Sequence, residues 1–197
     1  MKKKSKIAIG ILVMTFCIGG FIYATKERPY FEWGKQLAGE EKAFNSTKVI
    51  AKVNGIDISE EEFEKTKLAH SVVRTDASDD DIMKVLIRQK VIASEAKKRG
   101  ITVTEQEVKE FNDQRFDGMM QDPKMKQAME DFLEGKQQTL EEYKEQSLAV
   151  SEAALIAMKL QEQLIKENQV KPEEVTKFLN DTVETLIENA VIERFDE

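Results

Sequence analysis

The 197-residue chain has one cysteine, one histidine and three prolines. Cys17 sits in an apolar stretch near the start, so the body of the chain offers no disulfide, cysteine zinc site or thiol nucleophile. His70 is the one side chain titrating near neutrality. A lone histidine on a half-apolar helical stripe is more often packed than catalytic, and no Ser, His and Asp constellation or glycine-rich phosphate loop accompanies it. Excess positive charge is also missing. The net charge of −7 excludes a nucleic-acid binder that works by phosphate neutralisation. The acidic runs at residues 60–62 and 79–81 read as helix starts and solvated faces rather than metal sites. Neither a metal nor a cofactor is expected.

One long apolar run is present. Lys2, Lys3, Lys4 and Lys6 precede the uncharged residues 7–24, a length of about 27 Å as a helix, which just spans a bilayer. The lysines would hold the N-terminus inside, placing everything after Ala24 outside the cytoplasm. Residues 1–24 are thus expected to be a signal anchor, or a signal peptide cleaved after Ile22-Tyr23-Ala24. A lipoprotein is disfavoured, because Phe16 precedes Cys17 where a small residue is needed. Residues 25–46 read as a juxtamembrane linker whose Tyr30, Phe31 and Trp33 either mark a membrane interface or pack on the domain. Residues 47–197 are the expected folded domain.

That domain opens with VIAKVNGIDISEEEFEK, residues 49–65. Asn54-Gly55 supplies the two positive φ angles of a type I′ turn, pairing Val53 with Ile56 and Ala51 with Ile58. Val49, Ala51, Val53, Ile56 and Ile58 then share one face, with Lys52 and Asp57 on the other. Ser59 and Glu62 read as a capping box for a helix with Phe63, Thr66, Ala69, His70 and Val73 on one face. Residues 79–99 are apolar on two sides and should form the central helix, closed by Gly100. Thr104 and Glu107 start a third helix, and Asp122-Pro123 restarts a short one ending at Gly135. Thr139 and Glu142 open a helix running unbroken to about Asn168, with Tyr143, Val150, Ala154, Ala157, Gln161 and Leu164 in line. After Lys171-Pro172 comes a last helix. Residues 190–195 then form a strand whose only available partner is the opening hairpin, within the chain or, by strand exchange, in a homodimer. The fold class is mainly α, with a small hairpin plus a C-terminal strand.

The order of VIAKVNGIDISEEEFEK, IMKVLIRQKVIASEAKKRGITVTEQEV and FLEGKQQTLEEYKEQ resembles the N-terminal chaperone region of the SurA and PrsA family of exported foldases, over residues 48–168 and more weakly to 195. The resemblance implies an extracytoplasmic, ATP-independent chaperone that holds unfolded or partly folded exported proteins. With the uncharged run as its anchor it would be tethered to a bacterial, Gram-positive cell membrane, and it would be secreted if the leader is cleaved. In that family a parvulin prolyl isomerase domain usually interrupts the module. Here the chain runs through residues 168–172 straight into the final helix, and parvulins carry paired histidines where this chain has His70 alone. No isomerase is expected. An adaptor for one envelope partner is the rival reading.

The client-binding candidates are Phe111, Phe116, Met119, Met120, Met125, Met129 and Phe132. Methionine and phenylalanine at this density offer deformable apolar surface that suits many partners. The same residues would serve equally as the core of a small helical lobe.

Overall fold

The computed structural model describes residues 28–40, 46–71 and 77–195. The apolar leader at residues 1–24 lies outside the described residues, as does Val73. Helix α1 (Pro29–Glu40) comes first, then strands β1 (Val49–Val53) and β2 (Ile56–Ser59). Helices α2 (Glu60–Ser71), α3 (Asp79–Lys98), α4 (Glu105–Gln121), α5 (Pro123–Lys136), α6 (Leu140–Gln146) and α7 (Leu148–Glu167) follow. A single 3-10 turn at Pro172–Glu174 leads into α8 (Val175–Glu188) and strand β3 (Ile192–Arg194). The protein is mainly helical with one small antiparallel sheet in the order β2-β1-β3.

Turn chemistry sets the sheet's register. Asn54 and Gly55 both have positive φ, 51° and 78°, and Ala51 faces Ile58 while Val53 faces Ile56. Lys52 and Asp57 pair on the opposite face, Nζ to Oδ1 at 3.2 Å. β3 lies along the other edge of β1, opposing Arg194 to Ala51 and Ile192 to Val53 within the same chain. The Asn54 side chain accepts from the Val191 amide, and the Asn54 amide donates to the Val191 carbonyl, both at 2.9 Å. Ala51, Val53 and Ile58 are fully buried against Phe63, Ile82, Leu86, Ile87 and Val91.

α3 is the central helix. It touches both hairpin strands, α2, α7 and α8, which is why it is apolar on two sides. Ser78 and Asp81 form a capping box at its start, a Ser-x-x-Asp signal that sequence reading passed over. Gly100, at φ 68°, closes it, with the Ile101 amide reaching back to the Ala96 carbonyl.

Four expectations need correction. Residues 25–46 are not linker throughout, because α1 docks along α5 and buries Trp33 and Leu37. Gly135 does not end α5. The helix continues to Lys136 and turns at Gln137, whose φ is 56°. Gly135 is needed instead where α1 crosses, as described below.

The long helix from Thr139 is broken at Ser147 into α6 and α7. Asn112 on α4 donates from Nδ2 to the Lys144 carbonyl at 3.0 Å, taking the acceptor that the Leu148 amide would use in a continuous helix. Past the break Val150 points outward, 58% exposed, while Ser151 is fully buried. Finally, the box at Ser59 is half formed. Its hydroxyl caps the Glu62 amide at 3.1 Å, but the Glu62 carboxylate turns to Lys90 on α3 at 2.7 Å.

Candidate functional site

The methionine- and phenylalanine-rich stretch forms the α4–α5 hairpin. Asp122 caps α5, its Oδ1 accepting from the Lys124 and Met125 amides at 2.8 and 3.1 Å, and Pro123 stands at the first helical position, where its missing amide hydrogen costs nothing. The hairpin turns its apolar sides onto α1, α2 and α6. Trp33, Leu37, Leu68, Phe116, Met129, Phe132 and Leu133 form one buried cluster, with Tyr30, Met119, Met120, Leu140 and Tyr143 packed around it.

The seven candidates therefore divide. Phe116, Met129 and Phe132 are buried, at 1%, 5% and 4% exposure. Met119 and Met120 are half-buried at the margin of that cluster. Phe111 and Met125 are half-buried further out on α4 and α5. The residues that sequence reading did not single out are Trp33, Leu37, Leu68, Leu133 and Tyr143. Of the two readings open for Trp33, a membrane-interface aromatic or one packed on the domain, the structure has the second, through a tertiary contact that no local pattern announces.

Aromatic rings organise the lobe. Trp33 and Phe132 lie 4.8 Å apart, Phe132 and Tyr143 meet edge-on at 5.3 Å, and Phe116 meets Tyr143 edge-on at 5.9 Å. The break at Ser147 sets the direction of α6 and so the place of Tyr143 in this stack. Lys136, itself buried, lays its ammonium over the Phe132 and Tyr143 rings, 5.9 and 5.5 Å from their centroids. Beside the rings, Ser151 donates to Asn112 Oδ1 at 2.7 Å and Arg115 donates to the Ser151 hydroxyl at 3.1 Å.

α1 and α5 meet through two glycines. A Cβ built on Gly34 would stand 2.1 Å from the Phe132 carbonyl oxygen and 2.9 Å from the Lys136 nitrogen. One built on Gly135 would stand 2.1 Å from the Phe31 carbonyl oxygen and 2.9 Å from the Lys35 nitrogen. The contact is reciprocal because the two helices carry the same spacing, Phe31-x-x-Gly34-Lys35 and Phe132-x-x-Gly135-Lys136. Backbones touch where a side chain would hold them apart.

At the start of α1, Arg28 grips α5 from outside, donating to both oxygens of Glu134 at 3.3 and 2.7 Å and to Asp131 at 2.7 Å. Glu134 and then Asp131 push the guanidinium still further above its ordinary value, and Arg28 holds Glu134 below the usual carboxylate range. These groups are exposed, so the grip is weakened by salt. Burial raises the Tyr30 hydroxyl. The Trp33 indole nitrogen, in contrast, is buried with no acceptor.

His70 is buried at 6% exposure in α2, a packed position. A separate open pocket of about 330 Å³ lies between α3, α7 and α8, with Leu164, Phe178 and Leu186 among its lining and Glu95, Arg99 and Asp181 also facing it. Arg99 there is held by Glu95 and Glu167, both at 2.6 Å. Among the described residues no group of three or more His, Cys, Asp or Glu could hold a metal ion.

Residues 1–116 match the family model of the SurA-like N-terminal domain. The match begins ahead of residue 48 and stops within α4, so α5 and the helices after it lie beyond it. No curated protein and no solved structure matches the chain.

Proposed function

Because the chain belongs to the family of the SurA-like N-terminal domain, we propose that it is an extracytoplasmic, ATP-independent chaperone-like protein that holds unfolded or partly folded exported proteins. The observation that carries this reading is the lobe around α4 and α5. Methionines and aromatics fill it, one polarisable and unbranched, the other offering broad faces, and both accept imperfect partners at modest cost. Binding of this kind is driven by apolar burial, is tolerant of sequence and needs no nucleotide. The residues assigned to it are Phe111, Phe116, Met119, Met120, Met125, Met129 and Phe132.

The uncharged residues 7–24 are the segment assigned to the membrane anchor. Among the described residues no helix is long and apolar enough to cross a membrane. The domain would then stand on the outer face, its acidity keeping it soluble beside anionic lipid. Prolyl isomerisation is not part of the assignment, since the matched family is that of the N-terminal domain and the chain's one histidine is packed in α2.

The test uses the full chain in lipid nanodiscs with an aggregating, chemically unfolded protein. Suppression of light scattering at a few equivalents, without ATP, is expected. No protection of any generic client, together with tight binding to one envelope protein, would replace this reading with that of an adaptor.

A further inference from the structure

Resting on that reading, we infer that α1 occupies the lobe's client groove as an intramolecular stand-in, and that the groove is built for a helical segment with a glycine between two large apolar residues. α1 itself supplies the template. Trp33 and Leu37, one turn apart, enter the apolar cluster, and Gly34 beside Trp33 lets the backbones touch. This is helix-in-groove recognition with anchors at i and i+4.

Three features mark α1 as exchangeable. Its outer grip is the exposed cluster of Arg28 with Asp131 and Glu134, which salt screens. Its main anchor leaves a buried indole N–H without an acceptor, a loss the docked helix carries and an undocked one does not. Its neighbours at the groove margin, Met119 and Met120, are side chains that re-pack around a different guest.

A non-native protein would compete with its own amphipathic helical segments. Those carrying glycine next to a large apolar residue would win over those with any side chain there, because even a Cβ at the crossing would stand 2.1 Å from the Phe132 carbonyl oxygen. An occupant tethered in the groove lowers apparent client affinity by the fraction of time it is docked.

Trp33 is the chain's single tryptophan, so its emission reports α1 docking directly. The experiment uses the full chain in nanodiscs as wild type, Gly34→Leu and Arg28→Ala. The probes are a reduced, carboxymethylated unfolded protein and a synthetic peptide of residues 28–40 labelled with a fluorophore. The expected result is a red-shifted Trp33 in Gly34→Leu, a smaller shift in Arg28→Ala that grows with salt, and a client affinity raised about tenfold and about twofold respectively. The peptide should bind Gly34→Leu and be displaced by the client, and its own Gly34→Leu version should not bind.

A red shift with unchanged or weakened client affinity would overturn the inference, as would no red shift in either variant. Should no variant bind the unfolded protein while the peptide still binds Gly34→Leu, the chaperone reading falls and the helix groove stands.

Discussion

Two of the three apolar clusters among the described residues, the sheet centre and the lobe, are built from different materials. The sheet centre is mostly aliphatic, with Phe63 its one buried ring and Met83 at its margin. Ala51, Val53, Ile58 and Leu86 have no exposure at all, and Ile82 and Val91 have 1%. The lobe is aromatic and sulfur-containing, most of its members keep a few per cent of exposure, and it tolerates a buried lysine and an indole without an acceptor. Branched side chains have few rotamers and pack one way, whereas methionine adapts. The chain thus separates a centre that defines the fold from one that can yield.

That contrast can be broken by matched truncations. Leu86→Ala should fall in the upper half of the range of about 2–5 kcal/mol measured for such changes, because its surroundings cannot collapse. Met129→Ala should fall in the lower half, because neighbouring methionines move in. Equal losses in denaturant unfolding would erase the distinction.

A smaller effect, about 1–3 kcal/mol, is expected for Asn112→Ala, which removes one of two donors to the Lys144 carbonyl, the Ser147 amide being the other, and removes the partner of Ser151. With the acceptor restored to the Leu148 amide, α6 and α7 should run on as one helix and withdraw Tyr143 from the ring stack. An increase in far-ultraviolet helicity with a changed tyrosine signal is the expected observation. Lost stability with unchanged helicity would mean that Asn112 does not cause the break.

The smallest effect is expected at the surface, where α4 meets α7. Glu107 accepts from Lys159 at 2.6 Å and from the Thr104 amide at 2.8 Å, and these contacts lower its carboxyl from 4.5 to about 2. The folded value is depressed, so its contribution is complete above the unfolded value and is lost as pH falls from about 4.5 through about 2. Glu107→Gln should flatten the acid limb of the stability curve in that window by lowering stability on its neutral side, and should leave stability below about pH 2 almost unchanged. An unaltered acid limb would refute the assignment.

Legibility in the sequence follows the same division. Asn54-Gly55, Gly100, and the Thr-x-x-Glu signals at Thr104 and Thr139 each specify structure through residues a few positions apart, and the structure has them all. The alternation holds from Ala51 to Ile58, but a register shift between Val49 and Ala51 interrupts it, and Ile50 packs against the core. β3 was legible only by elimination, as a strand needing a partner. The α1 crossing was not legible, because Gly34 and Gly135 look like helix breakers until each is seen against the other's backbone. The break at Ser147 was hidden for a similar reason. Its cause, Asn112, lies 32 residues from the carbonyl it engages. As for the candidate site, the sequence places the seven residues on two consecutive helices, as α4 and α5 are, but burial within them depends on α1, which it treated as a linker.

The placement of β1 between β2 and β3 has a consequence for the order of events in a growing chain. β1 gains its first neighbour within a few residues, through the Asn54-Gly55 turn, yet its second is separated from it by almost the whole domain, with Asn54 and Val191 137 positions apart. A polypeptide emerging N-terminus first must therefore keep one edge of its central strand open until β3 arrives, and contacts of such long sequence separation form slowly. The protein spends its own synthesis as an incompletely closed chain with an unpaired strand edge, the condition in which other chains need help.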